Sequence, residues 1–199
     1  MRVFGVVHRV LVSATSGYLL RIAVLLLIGC HAVFSQEALD LSGRKLDPLA
    51  ANPSKAVVLI FVRIDCPVSN RYAPTIQRIR AESGKDVRFY LVFPDRSTSA
   101  AQVRKYLRDF HYSISALRDP NHALVRAAHA QFTPEAAVFG RKGTLVYHGR
   151  IDDLYASFGH ARPAATTHEL EDAIRAVVAG RSPAQAQVAG VGCYISDLE

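Results

Sequence analysis

The chain has 199 residues, which is enough for one domain preceded by a leader. Half of the residues are hydrophobic and about a fifth are charged, a balance typical of globular rather than disordered proteins. The formal net charge is +7, but the first 35 residues carry three arginines and no acid, so the rest of the chain holds 21 basic and 17 acidic residues. Those basic residues are scattered and lack interleaved aromatic residues, which argues against a nucleic-acid-binding protein.

The leader, residues 1–35, predicts export. Arg21 is followed by an uncharged apolar segment that ends in small residues, and this pattern is typical of a secretory signal peptide cleaved after Ser35. Two alternatives stay open. Leu27-Ile28-Gly29-Cys30 resembles a lipobox in which Cys30 would carry a lipid, and the segment could also be an uncleaved anchor, although it is short for one. All three alternatives predict an extracytoplasmic, for example periplasmic, protein whose only membrane contact is the anchor or the lipid.

The strongest local signal follows in residues 57–66. An apolar run of mainly β-branched and aromatic residues over 57–64 predicts a buried strand, and it ends just before Cys66. Pro67 suits the first position of a helix, which is predicted over residues 67–83 and closed by Gly84. Backbone N–H groups and the dipole of that helix would favour a thiolate at Cys66. The alternative is an inert buried cysteine.

The rest of the chain completes an α/β pattern, opened before the central strand by a short strand and turn at 38–46. Later segments alternate between strand and helix signals and finish with a hairpin and one more helix. In chain order they are a strand at 87–93, a helix capped at 97–99, a short helix from 119–121, a hairpin over 131–147 with its turn at 140–143, and a helix capped by Thr166 or Thr167 and ended by Gly180. Such an order predicts a three-layer α/β domain over residues 36–181 with a mixed sheet, followed by an extended tail over 182–199.

Cysteine usage leaves one candidate disulfide. Cys30 belongs to the leader, so the predicted domain and tail contain only Cys66 and Cys193. An oxidising compartment permits a bond between them if the fold brings their Cα atoms within about 7 Å. Cys193 could instead be an unpaired tail cysteine or serve a purely structural bond.

Three motifs together resemble the thioredoxin-like fold, in the redoxin branch that also holds peroxiredoxins and exported thiol–disulfide oxidoreductases. They are Asp65-Cys66-Pro67 after a buried strand, Phe132-Thr133-Pro134-Glu135, and the turn and strand from Gly140 to Gly149. The resemblance implies that Cys66 is the nucleophile. It also implies that Pro134 is cis, opens the hairpin, and holds the Thr133 backbone beside Cys66 so that a substrate strand can pair with it.

The sequence departs from two well-known versions of this motif. Oxidoreductases of this fold use Cys-x-x-Cys, but the fourth position here is Ser69, so a disulfide inside the motif cannot form. Peroxiredoxins keep a threonine or serine three residues before their cysteine, where this chain has Arg63. Ser69 could donate a hydrogen bond to the Cys66 thiolate. Arg63 or Arg71 could also stabilise it, while the carboxylate of Asp65 opposes it.

The resemblance therefore implies an exported redox protein that exchanges thiols and disulfides through Cys66. Cys193, the other cysteine outside the leader, is the candidate resolving thiol, since its attack on a mixed disulfide at Cys66 would release the partner. The expected partners are protein thiols or disulfides or a small thiol reductant, and neither a cofactor nor a metal site is predicted. If the chain is an enzyme, it is a thiol–disulfide oxidoreductase or a peroxiredoxin-like protein. Two other classes stay open: a copper-delivery protein using both cysteines and one histidine, and a non-catalytic interaction module.

Overall fold

The computed structural model of the chain describes residues 36–50 and 53–196. The predicted leader, with Cys30, lies outside the described residues, so its cleavage, lipidation or retention stays a prediction. Within the described part of the chain, no helix is long and apolar enough to cross a membrane. The strands and helices in chain order are β1 (Ala38–Leu39), β2 (Lys45–Leu46), β3 (Ala56–Phe61), α1 (Pro67–Arg71), α2 (Ala73–Glu82), β4 (Val87–Phe93), α3 (Ala100–Asp109), β5 (Ser115–Arg118), α4 (Ala123–Ala128), β6 (Phe132–Thr133), β7 (Glu135–Phe139), β8 (Leu145–Gly149), β9 (Tyr155–Ser157), β10 (His160–Ala161), α5 (Glu169–Val178), β11 (Gln187–Val188) and β12 (Cys193–Tyr194).

Within residues 36–50 and 53–196, the central sheet has eight strands in the order β11-β8-β7-β3-β4-β5-β1-β2. Strands β3, β4 and β5 run parallel, whereas β7 and β8 form an antiparallel hairpin beside β3. The predicted combination of a parallel half and an antiparallel hairpin is therefore confirmed. The topology places the end of β3, which leads to Cys66, beside the start of β7, which follows Pro134.

Strand β3 is buried along its whole length because helices or other segments cover both faces of the sheet. Val58 and Ile60 point into a core shared with α2, α3 and α5. Leu59 and Phe61 point into a second core shared with α4. Alternate residues of one apolar strand thus serve two cores, as expected for a strand covered on both faces. The predicted three-layer α/β fold is confirmed.

The helix after Cys66 differs from its prediction. A continuous helix over residues 67–83 is wrong, because α1 ends at Arg71, Tyr72 separates the two pieces, and α2 begins at Ala73. Pro74 lies in the first turn of α2. Proline has no N–H to donate and its ring clashes with the carbonyl group four residues earlier, so the hydrogen-bond ladder is interrupted here.

The link between β3 and Cys66 also differs. Strand β3 ends at Phe61 rather than at residue 64, and residues 62–66 form a short connection to α1. Further along, strand β5, which pairs in parallel with β4, has no counterpart among the predicted elements. Strand β5 has only four residues, too few for an alternating pattern to identify it.

The cap of the last helix also differs from its prediction. His168 occupies the position before α5, and neither Thr166 nor Thr167 caps the helix. The backbone N–H groups of both threonines instead donate to the carboxylate of Asp153, which is almost fully buried. The two threonines therefore hydrogen-bond to the loop that follows β8 and connect the start of α5 to that loop.

The C-terminal tail, residues 182–199, was predicted to be extended, and its described part forms two short strands that pair with the domain. Strand β11 runs parallel to β8. Strand β12 runs antiparallel to β6 and places Cys193 opposite Thr133. Just beyond it, the N–H of Ile195 donates to the carbonyl of Gln131 at 2.9 Å, and the Ile195 side chain is buried in the second core. The domain boundaries at 35 and 181 stay predictions.

Candidate functional site

Cys66 lies at the N-cap position of α1 and is only 1 % exposed. Its Sγ accepts a hydrogen bond from the N–H of Ser69 at 3.5 Å, and its own S–H donates to the carbonyl oxygen of Thr133 at 3.0 Å. The predicted strand–cysteine–proline–helix order thus places the sulfur in contact with both the helix start and the residue before Pro134. The Cys66 side chain is therefore more buried than that of a nucleophile open to solvent.

Cys193 is the residue that completes the site. Its sulfur lies 2.7 Å from the Cys66 sulfur, although 127 positions separate the two residues in the chain. Both are free thiols in this structure, and the distance exceeds the roughly 2.05 Å of a formed disulfide bond. The contact follows from the pairing of β12 with β6, which aligns Cys193 with Thr133.

The Thr133–Pro134 peptide bond is cis in this structure. Thr133 is fully buried, and its hydroxyl donates to the carbonyl oxygen of Cys193 at 3.4 Å. The strand position beside this residue, which the resemblance assigns to a substrate strand, is therefore taken by the chain's own β12. Pro134, Thr133, Cys66 and Cys193 are brought together as one cluster.

Ser69 belongs to the same cluster and is completely buried. Its backbone N–H points at the Cys66 sulfur, while its hydroxyl accepts a long hydrogen bond of 3.5 Å from the N–H of Arg63. Ser69 therefore stands where the second motif cysteine would lie, and it ties the first turn of α1 to the connection that follows β3.

The pKa of Cys66 is lowered from its ordinary value. Burial is the largest influence and raises it, but the hydrogen bonds from Cys193 and from the side chain and backbone of Ser69 together lower it by more. Hydrogen bonds to the sulfur stabilise the thiolate more directly than a remote charge does. These bonds, rather than a charge on Arg63 or Arg71, are the main causes that favour the thiolate.

Cys193 shows the opposite shift. Burial, the hydrogen bond to Cys66 and the nearby Cys66 charge raise the pKa of Cys193 to about 12, and Arg63 lowers it in part. Arg63 lies against the tail, where its guanidinium donates to the Tyr194 carbonyl at 3.5 Å and to the Asp65 carboxylate at 2.9 Å. The charges of Arg63 and Asp65 are thus among the causes that shift the pKa of Cys193. The pair therefore holds one thiol whose pKa is lowered and one whose pKa is raised.

Sequence reasoning did not assign roles to two residues that shape this cluster. A Cβ atom on Gly192 would lie 2.1 Å from the Thr133 carbonyl oxygen, so only glycine permits the tail to approach this closely. Glu135 is almost fully buried and its carboxylate accepts the N–H groups of Gln131 and Phe132 at 2.8 and 3.0 Å. The sequence hint for the role of Gly192 is its position directly before Cys193. No comparable hint marks Glu135, because a glutamate after a proline has no characteristic role.

The copper alternative requires a histidine beside the two cysteines. Among residues 36–50 and 53–196, no group of three or more His, Cys, Asp or Glu side chains is placed to hold a metal ion. His148 lies with its Nδ1 3.5 Å from Oε1 of Glu135. The cluster therefore consists of two sulfurs, hydroxyl groups and backbone groups.

A scan against protein-family models finds no match, and no curated protein matches the sequence. Solved structures do match. A hypothetical protein from Sinorhizobium meliloti 1021 is similar at a TM-score of 0.68 and 22 % identity, over 80 % of this chain and 88 % of that one. An uncharacterized conserved protein from Geobacillus kaustophilus is similar at a TM-score of 0.63 and 21 % identity, over 80 % of this chain and 86 % of that one. A secreted Mycobacterium tuberculosis disulfide oxidoreductase homologous to E. coli DsbE is similar at a TM-score of 0.50 and 17 % identity, over 76 % of this chain and 99 % of that one. These likenesses show that the chain has a thioredoxin-like fold.

Proposed function

We propose that this chain is an exported thiol–disulfide exchange protein that cycles between a Cys66/Cys193 dithiol and a disulfide joining the two residues. The observation that carries the proposal is the 2.7 Å distance between their sulfurs at the start of α1. Two thiols this close can bond with little movement of the backbone. A protein with Ser69 in place of a second motif cysteine thereby regains a redox pair through its tail.

The chemistry of the pair supports exchange as well as a bond. Once β12 has left its place over Cys66, the thiolate that the lowered pKa of Cys66 favours can attack a disulfide of a partner. When β12 pairs with β6 again, Cys193 lies beside the resulting mixed disulfide, acts as the resolving thiol and releases the reduced partner. Protein disulfides or thiols are the proposed partners, with a small thiol as the reductant.

The proposed location rests on two observations. Residues 1–35 have the pattern of a secretory signal peptide, with lipidation at Cys30 or retention as an anchor as alternatives. One of the structures with this fold is that of a protein described as secreted. An oxidising compartment outside the cytoplasm also permits the Cys66–Cys193 disulfide to persist.

The test is a redox titration of the full chain carrying Cys30→Ser, so that only two thiols remain. The protein is equilibrated in glutathione buffers of increasing oxidising strength, quenched in acid and alkylated, and its intact mass is measured by mass spectrometry. We expect one two-electron transition from dithiol to intramolecular disulfide, abolished by either Cys66→Ala or Cys193→Ala. Absence of the disulfide across the whole range would refute the proposal and favour a non-catalytic interaction module.

Catalysis is tested with the same protein. Reduction of insulin disulfides by dithiothreitol should be accelerated by the full chain and should return to the uncatalysed rate with Cys66→Ala. Ser196→Ala, in the same tail but outside the sulfur cluster, serves as the matched control and should keep the rate. A disulfide that forms in the titration without any acceleration here would mean that the bond is structural.

A further inference from the structure

The two sulfurs differ in their access to an incoming thiol. Cys66 is 1 % exposed, and its sulfur is enclosed by the Thr133 carbonyl on one side and Cys193 on another. The tail strand β12 lies over it and is held by pairing with β6. A thiol from solution can reach the Cys66 sulfur only after β12 has left its place.

Cys193, in contrast, is partly exposed and lines an open groove of about 630 Å³. The groove is formed by the tail and by the loop that carries β9, and its largest side chains are Phe132, Phe158 and Tyr194. Phe158 and Tyr194 are 61 % and 72 % exposed, so the groove opens to solvent. None of the described residues that line the groove carries a charge. An incoming thiol can therefore approach Cys193 with β12 in place.

The leaving groups also differ. The pKa of Cys66 is lowered, while that of Cys193 is raised to about 12. In thiol–disulfide exchange the sulfur with the lower pKa is the better leaving group. Attack on Cys193 would release the Cys66 thiolate, and attack on Cys66 would release the poorer leaving group. Access and leaving-group chemistry thus favour the same direction.

We infer that an external thiol reduces the Cys66–Cys193 disulfide by attacking the sulfur of Cys193. This inference rests on the proposed function. The incoming thiolate forms a new S–S bond with Cys193, the Cys66–Cys193 bond breaks, and its electron pair stays on Cys66 as a thiolate. A second external thiolate then attacks the mixed disulfide, leaves with the first as an oxidised pair, and Cys193 takes up a proton. The mixed disulfide in this reductive half of the cycle lies on Cys193, not on the motif cysteine.

The test uses the full chain with Cys30→Ser, oxidised to the Cys66–Cys193 disulfide and mixed with excess 2-mercaptoethanol, a small uncharged thiol. Samples are quenched in acid at increasing times, free thiols are alkylated at low pH, and the mixed disulfide is located by peptide mass mapping. We expect the adduct on Cys193, with Cys66 alkylated, in excess on the order of tenfold at the earliest times. An adduct mainly on Cys66, or equal amounts on both residues, would overturn the inference.

The control is the same reaction in concentrated urea. There the access of the two sulfurs and their pKa values become alike, so the adduct should divide about equally between them. If the folded protein shows no more preference than the unfolded chain, the fold does not direct the attack. Failure of the proposed function is distinguishable, because it appears one step earlier as the absence of a Cys66–Cys193 disulfide after oxidation.

Discussion

Gly192→Ala tests whether the close approach of the tail creates the sulfur pair. The new Cβ would lie 2.1 Å from the Thr133 carbonyl oxygen and 2.7 Å from its carbon, whereas ordinary contact begins at 3.4 Å. Strands β6 and β12 would have to separate by about 1.3 Å at this point to relieve the clash. A displacement of this size at the residue next to Cys193 is large compared with the 2.7 Å that separates the two sulfurs.

The expected magnitude follows from what anchors the tail. Ile195 is 5 % exposed, and burying such a side chain contributes about 1.5–3 kcal/mol. If the clash removes about 2 kcal/mol of tail docking, the equilibrium constant for the Cys66–Cys193 disulfide should fall about 30-fold. The fold itself should remain intact, since β12 is outside the eight-stranded sheet.

The assay is the glutathione titration described above, with Gly190→Ala as the matched control. A Cβ on Gly190 would meet its nearest atom, on the Phe132 ring, at 3.4 Å, which is ordinary contact. Neither glycine has a positive φ, so both variants test space rather than backbone conformation. An unchanged equilibrium constant in Gly192→Ala, or an equal fall in Gly190→Ala, would refute the reasoning.

Three further outcomes are expected. Cys193→Ala removes a hydrogen bond to the Cys66 sulfur, so the pKa of Cys66 should rise, as measured by thiolate absorbance or alkylation rate against pH. Burial raises the pKa of Glu169, but hydrogen bonds, among them the one from Arg150, lower it overall. Because the pKa of Glu169 is lower in the folded than in the unfolded protein, the ionised carboxylate stabilises the fold near neutral pH. That stabilisation is lost as the pH falls through the pKa of the folded state. The thermal midpoint of Glu169→Gln should therefore be lowered at pH 7, with a deficit that shrinks toward pH 3. Asp119→Ala removes the acceptor of three backbone N–H groups at the start of α4 and should cost about 1–3 kcal/mol in urea unfolding.

Each of these outcomes has its own control. Cys193→Ser, which keeps a donor, should preserve part of the shift in the pKa of Cys66; a Cys193→Ala variant with an unchanged Cys66 pKa would contradict the assignment. Glu82→Gln, in a largely exposed ion pair, should show little dependence of its stability difference on pH. Asp109→Ala, at an exposed helix end, should lie within about 0.5 kcal/mol of the wild type; a cost equal to that of Asp119→Ala would deny Asp119 a special role.

Local signals in the sequence predicted most of the fold. The apolar runs predicted β3 and β4, and the glycine-rich turn predicted the hairpin of β7 and β8. Errors arose where one element was short or one residue interrupted a longer pattern. Strand β5 was missed for the first reason, and the helix after Cys66 was drawn through Pro74 for the second. In both places the hydrophobic pattern is a poor guide: four residues are too few to show a strand period, and a proline interrupts helical hydrogen bonds without changing the apolar spacing.

The sequence by itself determined that Cys66 ends a strand connection and begins a helix, because residue preferences for strands, turns and helix starts act over a few neighbouring positions. It also limited the disulfide to Cys66 and Cys193. Only the tertiary structure decided that the two sulfurs meet, that β12 covers Cys66, and that Cys193 faces the groove. These features depend on contacts between residues 127 positions apart, formed by backbone pairing and by the space beside Gly192, which no local pattern encodes.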